Sequence, residues 1–394
     1  MFSDPDIFLQ RHSQTLTQLI HDAIREQGGW ISFEHYMQMA LYQPGLGYYT
    51  AGSERFGSDG DFVTAPMLGQ LFAASLASQC AQILDFDDCD TIVEFGAGNG
   101  DLAANILLNL ARTGNLPDCY QIVETSPDLI ARQQQRIKQL GFEKGDDLVA
   151  CVEWLDTLPH EINGVVIGNE VVDAMPFKRF ELGAEGQIRE IGVVSSERGL
   201  EWGAGQEISL PFSLPDCEQG YQSEWSPLSE AWVRSVGEKL ETGVMFLIDY
   251  GFPEHEFYHP DRQQGTLMCH YRHHAHSDPF YWPGLQDITC HVNFSALARA
   301  GLDVGMELIG YNSQGEFLLA CGLLNHMERQ MSEAAKLTQS QQTKIQMMMA
   351  AEVKKLTLPH EMGELFKVIA LGRNVDQVLS GFRSANKNHR LLND

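Results

Sequence analysis

An acid and three glycines at alternate places, Glu94, Gly96, Gly98 and Gly100, lie in the run from Thr91 to Leu102 (TIVEFGAGNGDL). Apolar residues followed by closely spaced glycines read as a buried strand, a tight turn and the first turn of a helix. Glycines there let a backbone approach a ligand and adopt left-handed torsions. A dinucleotide-binding turn keeps its third glycine one place later, so that helix and strand close beneath the pyrophosphate. That place is Asp101. The spacing therefore suits a ligand without a pyrophosphate, and the nearby acid suits one that carries positive charge. More candidates follow along the chain: Glu124, and the group Asn169, Glu170 and Asp173. A carboxylate offers two acceptor oxygens, so an acid ending a second strand can take the paired hydroxyls of a ribose.

These residues need a frame, and from residue 91 onward the pattern alternates strand and helix as in a doubly wound α/β domain. Strands read at 91–95, 120–124, near 148–152, at 164–168, at 243–249, near 303–309 and at 316–321. Helices begin near Asp101 and Pro127, and a helix over 294–300 stops at Gly301. Ahead of the sheet, helical spacing runs over 6–27, Ser32 caps a short helix ending near Leu41, and 68–84 is strongly helical. Residues 1–85 thus form a helical cap with a pocket loop. Residues 86–325 form the α/β domain, with insertions at 177–240, beginning with a hairpin, and at 251–292. Residues 326–394 form a helical tail. Loops as long as the two insertions usually serve as lids or substrate sites.

Composition narrows the partners. The 394 residues carry 27 basic and 53 acidic side chains, a formal net charge of -26, and 43% are hydrophobic. The core is ample, and the field repels nucleic acid and anionic lipid while tolerating a basic protein substrate. The eight cysteines include no C-x-x-C and no zinc-finger spacing, which points to reduced thiols. The N-terminus lacks a basic and apolar leader, and no apolar run is long enough to span a membrane, so the expected setting is a bacterial cytoplasm. The His-rich run from Cys269 to His276 has no known ligand spacing, and no metal is expected. Met347, Met348 and Met349 suggest a packing or interface surface, and a homodimer with it.

Six runs in order extend over most of the chain: Gly60–Pro66 (GDFVTAP), Val93–Leu102 (VEFGAGNGDL), Asn169–Pro176 (NEVVDAMP), Ile248–Gly251 (IDYG), Asp287–Phe294 (DITCHVNF) and Met362–Val368 (MGELFKV). Together they resemble the MidA-like methyltransferases, which use S-adenosyl-L-methionine (SAM). That family includes the mitochondrial complex I assembly factor that is a protein arginine methyltransferase. The resemblance implies a Rossmann-like sheet of seven strands, SAM as cofactor, and a protein substrate methylated at arginine, with a respiratory-complex subunit as one such target. Gly168 before Asn169, Val171 and Val172 within the motif, and Asn293 where an acid is common depart from the family pattern and leave the substrate's identity open.

On that resemblance, Gly96, Ala97, Gly98 and Gly100 form the floor under the methionine part of SAM. Glu94 bonds its amino group directly or through water, and Glu124 takes the ribose. Gly60, Asp61 and Thr64 cover the cofactor. Trp154, with Glu153 beside it, stands against the adenine edge or packs in the core. Asn169 holds the amino group or the incoming nucleophile, and Glu170 contacts the substrate. Asp173 is a second acid or a helix N-terminal charge. Two other functions fit the same sequence: a SAM-binding assembly factor or chaperone with little catalysis, and a small-molecule methyltransferase. The glycine spacing argues against a nicotinamide oxidoreductase.

Overall fold

The computed structural model describes residues 4–51, 69–145 and 147–392. Gly60, Asp61 and Thr64 lie outside the described residues. By contacts the chain divides into two interleaved units. One is drawn from Met1–Asp61, Asp173–Ala231 and Phe252–Asn293, the other from Phe62–Val172, Trp232–Gly251 and Phe294–Asp394. These boundaries differ from linear ones at 85 and 325.

The first unit begins with helix α1 (Ile7–Glu26), whose N-cap Asp6 accepts from the N–H groups of Phe8 and Leu9. Helix α2 (Phe33–Tyr42) is capped by Ser32, which accepts from His35 N. Both bury one apolar face, with Leu16, Ile20, Phe33 and Tyr36 fully enclosed beside Phe177. The expected hairpin is present as Lys178–Leu182 against Ile188–Ser196, within a five-stranded antiparallel sheet. A buried pair, Arg179 and Glu224, ties that sheet to the following loop, because Glu224 also accepts from the N–H groups of Thr266 and Leu267. The His-rich run forms an antiparallel hairpin, Met268–Tyr271 against His274–His276.

The second unit holds helices α3 (Gln70–Leu84), α4 (Asp101–Thr113) and α5 (Pro127–Lys144) and a seven-strand path. In chain order its strands are β1 (Thr91–Phe95), β2 (Cys119–Val123), β3 (Val152–Leu155), β4 (Ile162–Asn169), β5 (Leu240–Phe252), β6 (Glu307–Ser313) and β7 (Phe366–Arg373). Their spatial order is β6-β7-β5-β4-β1-β2-β3. The pairings from β3 to β5 are parallel, and β7 runs antiparallel to both β5 and β6. The middle strands are nearly continuous apolar runs because both faces are covered. One core cluster joins α3, α4 and α5 to Ile92, Ile122, Val165 and Phe246 of the sheet.

Four sequence readings are corrected here. The third strand is Val152–Leu155, since Leu148–Cys151 forms a 3-10 turn. The strand expected near 303–309 is Glu307–Ser313, because the helix Phe294–Asp303 runs through Gly301 and ends before Gly305, whose φ is +80°. A Cβ at Gly301 would lie 2.9 Å from Leu371 of β7, so that glycine serves close packing rather than helix termination. The segment 316–321 is not a strand but part of the helix Gln314–Ala320, and β7 at Phe366–Arg373 takes its place in the sheet. The tail expected to be helical over 326–394 is helical as far as Thr357, with Leu323–Ala334 and Gln339–Thr357, and its remainder carries strand β7. Among the described residues no helix is long and apolar enough to cross a membrane.

Candidate active site

The carboxyl ends of β1, β2 and β4 set the site, and the sheet register brings them level. Phe95 of β1 pairs with Gly168 of β4 on one side and with Val123 of β2 on the other. The glycine turn, Glu124 and the Asn169–Glu170 corner therefore emerge side by side, where open α/β sheets collect ligands.

Gly96, Gly98 and Gly100 all have positive φ (67°, 54° and 85°), which explains three glycines at alternate places. Their surroundings differ. A Cβ at Gly96 would lie 2.6 Å from Val171 Cγ2, and one at Gly100 would lie 2.9 Å from Gln133 Cα. At Gly98 a Cβ would meet nothing within 4 Å among the described residues, so the turn opens there with respect to them. Ala97 is buried at the turn. Asp101, at the place of a dinucleotide fold's third glycine, is ion-paired with Arg136 of α5 and bonded to Asn99.

Glu94 shares a strand face with Ile92 and is 1% exposed. The Tyr120 hydroxyl donates to its Oε2 at 2.6 Å. Burial raises its carboxyl to about 7, against the smaller opposing effect of the Tyr120 bond. Glu124 stands one residue beyond β2. Its Oε1 accepts from Thr125 N (2.9 Å) and Ser126 N (2.8 Å), and its Oε2 lies 3.4 Å from Gln133 Nε2. Both backbone bonds fall on one oxygen, so Oε2 keeps the spare acceptor capacity. Trp154 on β3 packs against the core and donates from Nε1 to Gln133 Oε1 at 2.9 Å. Glu153 is exposed.

The corner after β4 is strained. Glu170 has φ 51°, a left-handed value that a side chain other than glycine seldom takes. Two bonds hold it there. Glu170 N donates to Ile248 O of β5 at 2.9 Å, and Val172 N donates to Asp249 Oδ2 at 3.1 Å. Asn169 Nδ2 approaches Glu170 Oε1 at 3.4 Å, while Asn169 Oδ1 is buried with no hydrogen-bond partner among the described residues. Asp173 belongs to the other unit, where it is 5% exposed and its backbone carbonyl accepts from Cys290 N. It opens a turn and no helix, so the dipole role does not apply. Burial raises the Tyr42 and Tyr49 hydroxyls, with smaller contributions from the Asp287 carboxylate and then that of Asp173.

Asp249, Val171 and Gln133 stand at the turn and the corner although the sequence assigns none of them a role there. Asp249 stands in the IDYG run and Val171 in the NEVVDAMP run, so both carried a signal without a role. Gln133 carried none, being one of three consecutive glutamines in a polar helix.

The sheet order, the three left-handed glycines and the acceptor-rich strand ends define the class: a methyltransferase fold of the kind that uses S-adenosyl-L-methionine. A family model described as "Putative S-adenosyl-L-methionine-dependent methyltransferase" matches residues 75–312. The chain belongs to the MidA-like family of SAM-dependent methyltransferases, and SAM is its cofactor. The crystal structure of a Burkholderia thailandensis protein bound to S-adenosyl-homocysteine is 41% identical, with a TM-score of 0.89 over 99% of this chain and 100% of that one. The protein arginine methyltransferase NDUFAF7 homolog of Caenorhabditis elegans is 27% identical over 80% of this chain and 78% of its own. Its Drosophila melanogaster counterpart is 26% identical over 87% and 82%. Two features of the site fit the cofactor. Among the described residues, nothing stands within 4 Å of a Cβ built at Gly98, and Asn169 Oδ1 is a buried acceptor with no donor.

Proposed function

We propose that this methyltransferase acts on a protein, at arginine, with the Asn169–Glu170 corner as its substrate-facing element. The observation that carries the reading is the left-handed Glu170, fixed by bonds from β5 beside the glycine turn. Backbone strain held in place by surrounding bonds concentrates at functional sites. The names of the NDUFAF7 relatives support arginine as the acceptor.

When bound, SAM supplies an electrophilic methyl carbon on a sulfonium. The chain's own groups position the partners. The turn from Gly96 through Ala97 to Gly100 supports the methionine half, and Glu124 accepts a ribose hydroxyl at Oε2. Trp154 flanks the adenine side. Glu94, enclosed beneath the turn, is assigned the indirect role, through water or through the backbone it supports. Asn169 Oδ1 accepts from an ammonium or guanidinium N–H. Glu170 holds the guanidinium plane and concentrates electron density on one nitrogen. Alignment supplies much of the rate in a displacement of this kind, and no strong base is needed because solvent or the Glu170 carboxylate can take the nitrogen's proton once transfer has begun. Asp173, Gly60, Asp61 and Thr64 remain in the proposal as a second acid and as cover for the cofactor. The exposed Met347 and Met348 make a second copy of the chain the proposed partner of the tail, to be checked by sedimentation.

The test is incubation with methyl-labelled SAM and cell extract, with respiratory-complex subunits among the targets, followed by mass spectrometric mapping. Label is expected on arginine, and Glu170→Gln should cut transfer by about a hundredfold or more while SAM still binds. Label on small molecules alone would establish the small-molecule reading. Tight SAM binding with no transfer would establish the assembly-factor reading.

A further inference from the structure

One residue ties the polar groups around the glycine turn together. Gln133 on α5 is 0% exposed. Its Oε1 accepts from Trp154 Nε1 at 2.9 Å. Its Nε2 donates to Gly98 O at 2.9 Å and reaches Glu124 Oε2 at 3.4 Å. An indole N–H only donates, whereas a carbonyl and a carboxylate only accept, so all three partners demand the same orientation of the amide. Helix α5 presses onto the turn at this point, since a Cβ at Gly100 would lie 2.9 Å from Gln133 Cα and 3.2 Å from its Cβ. The Glu124 oxygen that Gln133 touches is also the one not taken by Thr125 N and Ser126 N.

We propose that Gln133 is a positioning residue for the cofactor. Its single amide aims Glu124 Oε2 at the ribose, steadies the Gly98 carbonyl of the turn and holds the Trp154 ring. The proposal rests on Glu124 as the ribose acceptor. The chemistry is specific to a glutamine, because the site needs an acceptor and two donor hydrogens on one uncharged group of this reach. Leucine removes all three bonds at similar volume. Glutamate keeps the bond from Trp154 but sets a carboxylate against the Gly98 carbonyl and the Glu124 carboxylate. Protonated, it can donate again.

The experiment is calorimetric titration of S-adenosyl-homocysteine into the full chain: wild type, Gln133→Leu, Gln133→Glu, Glu124→Ala and the Gln133→Leu/Glu124→Ala double variant. Gln133→Leu is expected to weaken binding about tenfold to a hundredfold, the range for bonds to a charged partner. Glu124→Ala should lose as much, and the double variant should bind at least about threefold better than the two single losses multiplied together, because the two residues share the contact at Glu124 Oε2. Gln133→Glu should bind poorly near about pH 8 and recover about tenfold relative to wild type by about pH 5.5, because burial and the facing Glu124 carboxylate push the new carboxyl above its ordinary value of about 4.3 and it regains a proton in that range. A packing role alone would not give that recovery, and the pH series carries the test if the leucine variant fails to fold. Gln133→Leu within about threefold of wild type beside a tenfold loss in Glu124→Ala would overturn this proposal and leave the ribose reading standing, as would losses that add in full. Glu124→Ala binding like wild type would overturn the ribose reading and the proposal with it.

Discussion

Glu94 shows how one side chain can report on the whole nucleus of the site. It lies under the glycine turn with Tyr120 as its bonded neighbour, and burial lifts its carboxyl from 4.5 to about 7. The folded chain therefore keeps a proton that the unfolded chain releases between those two values. Stability from this group is complete below about pH 4.5 and is lost as the pH rises through about 7, a loss of about 3 kcal/mol. Glu94→Gln keeps an acceptor for Tyr120 and cannot ionise, so it should gain on wild type by about that amount between pH 4.5 and pH 8 and level off above. Urea unfolding of the ligand-free chain at a series of pH values measures this, and a constant gap across the range would show that Glu94 ionises normally. The acid and the glycines were legible as residue types. The Tyr120 partner and the enclosure were not, because they arise where two strands and α3 meet.

At the scale of elements, α3 depends on a distant segment. Glu352, on the helix Gln339–Thr357, accepts from the N–H groups of Leu71 (2.8 Å) and Phe72 (3.4 Å). It thus caps a helix whose own N-cap, Gly69, offers no side chain. A Cβ at Gly69 would lie 2.0 Å from the Glu352 carboxyl carbon, so the glycine makes room for the cap. Glu352→Ala should cost about 1–2 kcal/mol of unfolding free energy, the usual range for losing an N-cap acid. Gly69→Ala should cost a similar amount by expelling Glu352, and the two losses should not add in the double variant. Strands read from sequence succeed where a nearly continuous apolar run is buried on both faces, as in β1, β4 and β5. They fail at 316–321, whose apolar residues bury one side of a short helix, and at Phe366–Arg373, of which the Met362–Val368 run covers only the first three residues and gives no sign of the strand between β5 and β6.

For the whole molecule, a net charge of -26 sets the conditions under which a substrate is met. On the proposed reading of a protein substrate methylated at arginine, basic peptides should be methylated faster than acidic ones of equal arginine content. That preference should fall severalfold as ionic strength rises from about 0.02 M to about 0.3 M, because screening shortens the reach of the field. Initial rates on matched peptides measure it, and rates indifferent to salt would remove charge steering from the account. The family and its cofactor could be read from the chain itself, since glycine spacing, strand-end acids and ordered runs are local patterns that survive without coordinates. Only the tertiary structure decided that β7 lies between β5 and β6 in the sheet, that Glu170 is held in a left-handed turn by β5, and that Gln133 joins the turn, Glu124 and Trp154. Each of these depends on residues far apart in sequence meeting through sheet register and helix packing, and no local spacing encodes such meetings.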